Sequence, residues 1–137
     1  MIGKTVLDSS VIATIFFPED LTTSAINQLG LEPFLTVDSA LADAAQVAAK
    51  RIVSGKESPD DVKMMLHDAI FFINELCEPI PSAELIGPAL DLACNLNISV
   101  YDALFVAAAV RERGTLFTAD KELSSIAKKV CRVRLLE

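Results

Sequence analysis

The hydrophobic pattern along this chain switches period several times, and each switch marks an element. Lys4-Thr5-Val6-Leu7 predicts a short buried strand that stops at Asp8-Ser9-Ser10, after which Val11-Ile12-Ala13-Thr14-Ile15-Phe16-Phe17 takes up a helical pattern. From Ser39 to Val53 nearly every position is apolar. The exceptions Ser39, Asp43, Gln46 and Lys50 fall at i, i+4, i+7 and i+11, one stripe of a 3.6-residue helix, with Arg51 off the stripe. Ser58-Pro59-Asp60-Asp61 is a helix start, with Pro in the first turn and acids favoured by the dipole. Pro79-Ile80-Pro81-Ser82 closes a short strand and opens a helix carrying Ala83 to Leu96. A further apolar helix follows Ser99. Thr115-Leu116-Phe117-Thr118 then reads as a strand, and Val130-Cys131-Arg132-Val133-Arg134-Leu135 alternates like a final, partly exposed one. The order β-α-α-β-α-α-β-α-α-β-α-β implies right-handed crossovers and an α/β fold whose central sheet is mainly parallel and flanked by helices.

Composition narrows the class. A chain of 137 residues, 52% hydrophobic, has one domain's worth of sequence (1–137) and buries a core without disulfides. The longest unbroken apolar run, Ala103 to Val110, is far too short to cross a bilayer, and no charged-then-oily leader precedes the first strand, so a cytoplasmic protein without a membrane partner is expected. Cys77, Cys94 and Cys131 are odd in number, widely spaced and set in apolar contexts, as for reduced core thiols. His67 is the single histidine. With no nucleophile motif near it, Ser-His-Asp and Cys-His-Asn schemes have no base, and His67 is expected to be structural or on the surface.

What remains is carboxylate chemistry. Asp102 heads the oily run Ala103-Leu104-Phe105-Val106-Ala107-Ala108-Ala109, and a charge there is costly unless backbone N–H groups or a metal ion compensate it. Ser99-Val100-Tyr101-Asp102 has the spacing of a capping box, and Asp120, between Thr118-Ala119 and Lys121-Glu122-Leu123, is equally placed to cap a helix. Asp8 is a third acid at a strand-to-helix junction. In open α/β sheets such junctions lie along one edge, where ligands bind. Asp43 is a fourth, in a helix interior where Asp is a poorer helix former than Glu or Lys; the alternative for it is one wetted helix edge.

With these residues in view, the chain resembles the PIN-domain nucleases, in particular the small ribonuclease toxins of VapBC toxin–antitoxin modules. The resemblance rests on Asp8-Ser9-Ser10-Val11, on Tyr101-Asp102-Ala103-Leu104-Phe105 and on Thr118-Ala119-Asp120, the last two separated by the short Arg111-Glu112-Arg113-Gly114 turn, and it runs over nearly the whole chain. It departs at one point: the family's second acid, usually Glu, falls on Asp43. The resemblance implies a PIN-like three-layer fold and a metal-dependent ribonuclease cutting RNA phosphodiester bonds. It also implies a homodimer and a cognate antitoxin whose C-terminal segment occupies the active-site groove. Asp8, Asp102 and Asp120, with Asp43, would hold Mg²⁺ or Mn²⁺, which all-oxygen donors select over zinc, while Ser10 and Thr118 orient the acids or a bound water. The competing reading is a catalytically degenerate PIN-like module that binds RNA or protein, for which Asp43 in place of Glu is the sequence hint. A phosphoaspartyl hydrolase would want a second acid at position 10, and a receiver domain an early acidic pair; both are absent.

Charge adds one expectation. Seven basic residues and three acids lie between Arg111 and Arg134, a local +4 in a chain of net −7, which suggests a basic tract leading a phosphate backbone to the acids or simply a solvated face. A pI near 4.6 argues against coating nucleic acid.

Overall fold

The computed structural model describes residues 3–30 and 33–137. Five strands, β1 (Thr5–Leu7), β2 (Phe34–Val37), β3 (Glu78–Ile80), β4 (Thr115–Thr118) and β5 (Arg132–Leu135), form one sheet in the order β3-β2-β1-β4-β5. Every pairing is parallel. Seven α-helices connect them: α1 (Ser9–Phe16), α2 (Thr22–Gln28), α3 (Ala40–Ser54), α4 (Pro59–Phe71), α5 (Ile86–Leu96), α6 (Val100–Glu112) and α7 (Lys121–Ala127). The element order matches the sequence expectation throughout.

Chain direction across the sheet sets the layers. Steps from β1 to β2 and β2 to β3 run one way, so right-handed crossovers put α1–α4 on one face; steps to β4 and β5 run the other way and put α5–α7 on the opposite face. The direction reverses between β1 and β4. That reversal opens a crevice beyond their carboxyl ends, the place where doubly wound sheets bind ligands.

Burial explains the apolar runs. The central strands β1, β2 and β4 are almost wholly buried and the edge strands only partly. Helix α6 is buried continuously from Ala103 to Ala109, lying between the sheet and α5, which is why it shows no amphipathic period. No single described helix is long and apolar enough to cross a membrane. The run Ile70-Phe71-Phe72-Ile73, expected as apolar helix surface or as core, divides between the two: Ile70 and Phe71 are exposed, whereas Phe72 and Ile73 are buried at the start of a π-helical turn (Phe72–Leu76), with the Phe72 ring 5.2 Å from that of Phe16. Of the three free cysteines only Cys77 is buried, and Cys94 is exposed, which corrects the expectation of three core thiols.

Gly114 locks β4 into register beside β1. Thr115 N–H donates to Lys4 O at 2.9 Å, and a Cβ on Gly114 would stand 2.6 Å from that same oxygen. Gly114→Ala is therefore expected to destabilise the protein by roughly 1–3 kcal/mol, through displacement of the β1–β4 ladder, read as a lower Tm in a calorimetric scan.

Candidate functional site

Asp8 leaves the end of β1 and is 4% exposed. Its backbone N–H donates to Phe117 O of β4 at 2.9 Å, which ties the two strand ends together. Although it occupies the position before α1, its carboxylate makes no helix cap. Instead, Oδ2 accepts from Ser10 Oγ at 2.5 Å and from Thr118 Oγ1 at 2.8 Å. Ser10 Oγ in turn accepts from Ala119 N–H at 2.9 Å, and Thr118 Oγ1 accepts from Asp120 N–H at 3.1 Å. The network thus spans the crevice between β1 and β4. Burial pushes the Asp8 carboxyl up to about 6; the two hydroxyl hydrogen bonds pull against that, and the charges of Asp102 and Asp120 add to it.

Asp120 does cap α7, its Oδ1 accepting from Leu123 N–H at 3.0 Å, and the residue also lines the cavity shared with Asp102. Asp102 sits in the first turn of α6, but the cap there is Ser99, whose Oγ accepts from Asp102 N–H at 3.1 Å. Half of the anticipated box forms, and the Asp102 carboxylate is not needed for it. Burial raises the Asp102 pKa first, then the Asp120 charge; Ser99 opposes, and Asp43 and Glu122 add further repulsion.

Asp43 is half-buried, off the exposed face of its helix. The solvent face of α3 is Ala42, Ala45, Gln46, Ala49, Lys50 and Val53, while Ser39 and Asp43 are half-buried. The polar stripe read from the sequence therefore divides: its first half turns inward and its second half outward. The Asp43 carboxylate is hydrogen-bonded by the side chain of Ser9, and burial raises its pKa more than that bond lowers it. Asp8, Asp102 and Asp120, from separate parts of the chain, are within electrostatic reach of one another, and the charge of Asp43 reaches Asp102.

Three site features escape sequence reasoning. Ser9 holds Asp43; Glu122 stands with Asp102 and Asp120 around a cavity of about 220 Å³; Asn97, left-handed at φ 54°, lines the same cavity after closing α5. Glu122 had one available signal, its place two residues beyond Asp120, but there it looks like any acid of a first helical turn. The basic tract, by contrast, divides: Lys121 directly follows Asp120 at the start of α7, whereas Arg111, Arg113 and Arg132 lie away from the acids. Arg113 and Arg132 lie at the amino ends of β4 and β5, joined by an Arg132 Nη2 to Arg113 O bond of 3.0 Å, and Arg111 pairs with Glu84 and Glu112; the acids are at the carboxyl ends. Arg134 stacks its guanidinium 4.2 Å over Phe117. His67 is exposed on α4, as expected.

The donor set is oxygen throughout. Among the described residues no three of His, Cys, Asp and Glu close into a ready cage. Mutually repelling carboxylates that close no cage of their own suit a hydrated hard cation, since Mg²⁺ commonly keeps several waters and only one or two carboxylates.

Comparison with known proteins identifies the family and the fold. The PIN domain family model matches residues 5–129. Ribonuclease VapC3 of Pyrobaculum aerophilum is 31% identical over 122 residues, covering 88% of this chain and 92% of that protein. Among solved structures, a Pyrobaculum aerophilum protein superposes with TM-score 0.71 at 15% identity over 96% of this chain and 83% of that one. VapBC2 of Rickettsia felis, bound to a DNA fragment from its promoter, gives 0.70 at 17% identity over 98% and 99%. FitAcB of Neisseria gonorrhoeae gives 0.66 at 17% over 94% and 95%. These low-identity structures share the three-layer parallel α/β fold, and with the family match over nearly all of the chain the conclusion is that this protein belongs to the PIN-domain family.

Proposed function

We propose that this protein is a Mg²⁺- or Mn²⁺-dependent endoribonuclease, the toxin of a toxin–antitoxin pair. The observation that carries the reading is that Asp8, Asp102 and Asp120 stand within electrostatic reach of one another beside the carboxyl ends of β1 and β4, with Asp43 within reach of Asp102. The name of its 31% identical relative supports ribonuclease chemistry, and the toxin–antitoxin complexes among its structural neighbours support an antitoxin partner. The whole chain acts as one domain, cytoplasmic and homodimeric; exposed Ile86, Leu90 and Val110 on α5 and α6 provide apolar area for self-association.

Asp8, Asp102 and Asp120 would hold the divalent ion, with Asp43 completing the set. When bound, such an ion activates water and neutralises charge on the scissile phosphate. Ser10 and Thr118 both donate to Asp8 Oδ2, which restrains the carboxylate, so that Oδ1 would be the oxygen offered to an ion. Asp120 is held by its own helix cap, so its free oxygen is placed by backbone and not by a mobile side chain. Ser9 restrains Asp43, whose side chain is one methylene shorter than the family's usual Glu.

Stability should report the site directly. Asp8 has a folded pKa near 6, above its ordinary 3.8, so it favours the folded state most below pH 4 and this contribution is lost as pH rises through 6. In EDTA, Tm is expected to fall between pH 4 and 7. Millimolar Mg²⁺ should restore it at pH 7, and RNA cleavage should appear only in Mg²⁺ or Mn²⁺. Equal cleavage in EDTA would sink the metal mechanism; a flat metal response with no cleavage would favour the degenerate module.

A further inference from the structure

The cavity of about 220 Å³ beside the acids is more than an extension of the metal site. Two of its walls are apolar: Ile98 from the α5–α6 connection, and Leu123 and Ile126 one turn apart on α7. The rim is polar, with the Asn97 amide, the Ser99 hydroxyl and the carboxylates of Asp102, Asp120 and Glu122. Its volume is below the roughly 300–1,000 Å³ of sites for drug-sized ligands, so it fits a small flat group and not a helix or peptide. Proteins recognise single-stranded RNA by seating an unstacked base on an apolar surface and hydrogen-bonding its edge. Asp102 and Asp120 are committed to the acid group, and Asp120 Oδ1 also to its cap. Glu122 has neither commitment: it is exposed, and no described basic side chain forms a salt bridge with it.

Resting on the ribonuclease reading, we infer that this cavity is a nucleobase subsite selecting guanine next to the cleaved phosphate, read by Glu122 and Asn97. An ionised carboxylate only accepts hydrogen bonds. Guanine is the base that presents two adjacent N–H donors, N1–H and N2–H, to the two oxygens of one carboxylate, and its O6 accepts from an amide such as that of Asn97. Uracil offers N3–H flanked by two carbonyl oxygens, which a carboxylate repels. Charge makes the same selection from the other side: a fifth acid at this place costs affinity for the phosphate backbone, a cost offset only when the occupant brings paired donors.

The test separates this subsite from the catalytic reading. Hexauridylate and the same hexamer with a single central guanosine, both fluorescein-labelled, are titrated with the intact protein in EDTA, where binding is read by anisotropy without turnover. The guanosine-containing hexamer should bind about tenfold more tightly, within the range a bidentate base contact supplies. Glu122→Gln should bring the ratio close to one, and Ile126→Ala should weaken the guanosine-containing hexamer while leaving hexauridylate nearly unchanged. Circular dichroism melts verify that both variants fold; should Ile126→Ala not fold, Ile98→Ala substitutes for it. No preference in the wild type, or a preference that survives Glu122→Gln, overturns the subsite. Should the hexamers be cleaved in Mg²⁺ without any base preference in binding, the subsite falls and the nuclease stands. A Glu122-dependent preference without cleavage keeps the guanine-binding cavity and overturns the nuclease reading, together with the placement beside a cleaved phosphate.

Discussion

Asp102→Asn is expected to lower RNA cleavage by at least about a thousandfold, since it deletes one charged donor from a site whose electrostatic contribution is several kcal/mol. The metal-free fold should lose nothing. Ser99 caps α6 through its own hydroxyl to the backbone N–H of residue 102, a bond the substitution leaves in place. The carboxylate itself is disfavoured where it stands, by burial and by the neighbouring charges of Asp120, Asp43 and Glu122. Removing that charge should therefore leave Tm in EDTA unchanged or raised, while abolishing the Tm increase produced by Mg²⁺. Single-turnover cleavage and melting in both buffers test this on one preparation. An active Asp102→Asn protein would show that Asp102 serves only the helix start.

The sequence points to the strand-end acids more directly than to their surroundings, and the reason lies in how each signal is encoded. Asp8 directly follows β1, and Asp120 follows β4 after one intervening residue; in a parallel sheet such positions fall on one edge, so period changes alone place them on the same side. The distribution of positive charge carries no such rule. Arg111, Arg113 and Arg132 are close in sequence to Asp120 yet flank the amino ends of β4 and β5, because a β-strand carries the chain from one edge of the sheet to the other within four residues. Counting charge along the chain mixes the two edges. Cys94 looks internal among apolar neighbours, but its helix turns it outward. Ser10 and Thr118 illustrate the reverse case: hydroxyls beside strand-end acids are a local pattern, and the fold needs only to bring two strands together for both to reach the same oxygen.

The second large effect is expected at Asp43, where the chain differs from its family and where helix periodicity alone misplaces the side chain. Asp43→Ala should reduce cleavage by about ten- to a hundredfold, the loss typical when a metal's supporting carboxylate is removed, and should weaken Mg²⁺ binding in parallel. Stability of the metal-free protein should rise slightly. Alanine gains up to about 0.7 kcal/mol of helix propensity, which is comparable with the roughly 0.3–1 kcal/mol that an acid in the first turn of α3 contributes through the dipole. Those two effects nearly cancel. The sign is then set by the surroundings, and the raised pKa of Asp43 shows that burial outweighs its bond from Ser9. Asp43→Glu restores the family's usual side chain but adds a methylene between α3 and a network already held by Ser9, so partial cleavage is the expected outcome, between that of Asp43→Ala and the native chain. The order native, Glu, Ala in cleavage, with Ala highest in metal-free Tm, identifies a ligand. An inactive Asp43→Glu beside a fully active Asp43→Ala would remove Asp43 from the site and leave three acids, Asp8, Asp102 and Asp120, to carry the reaction.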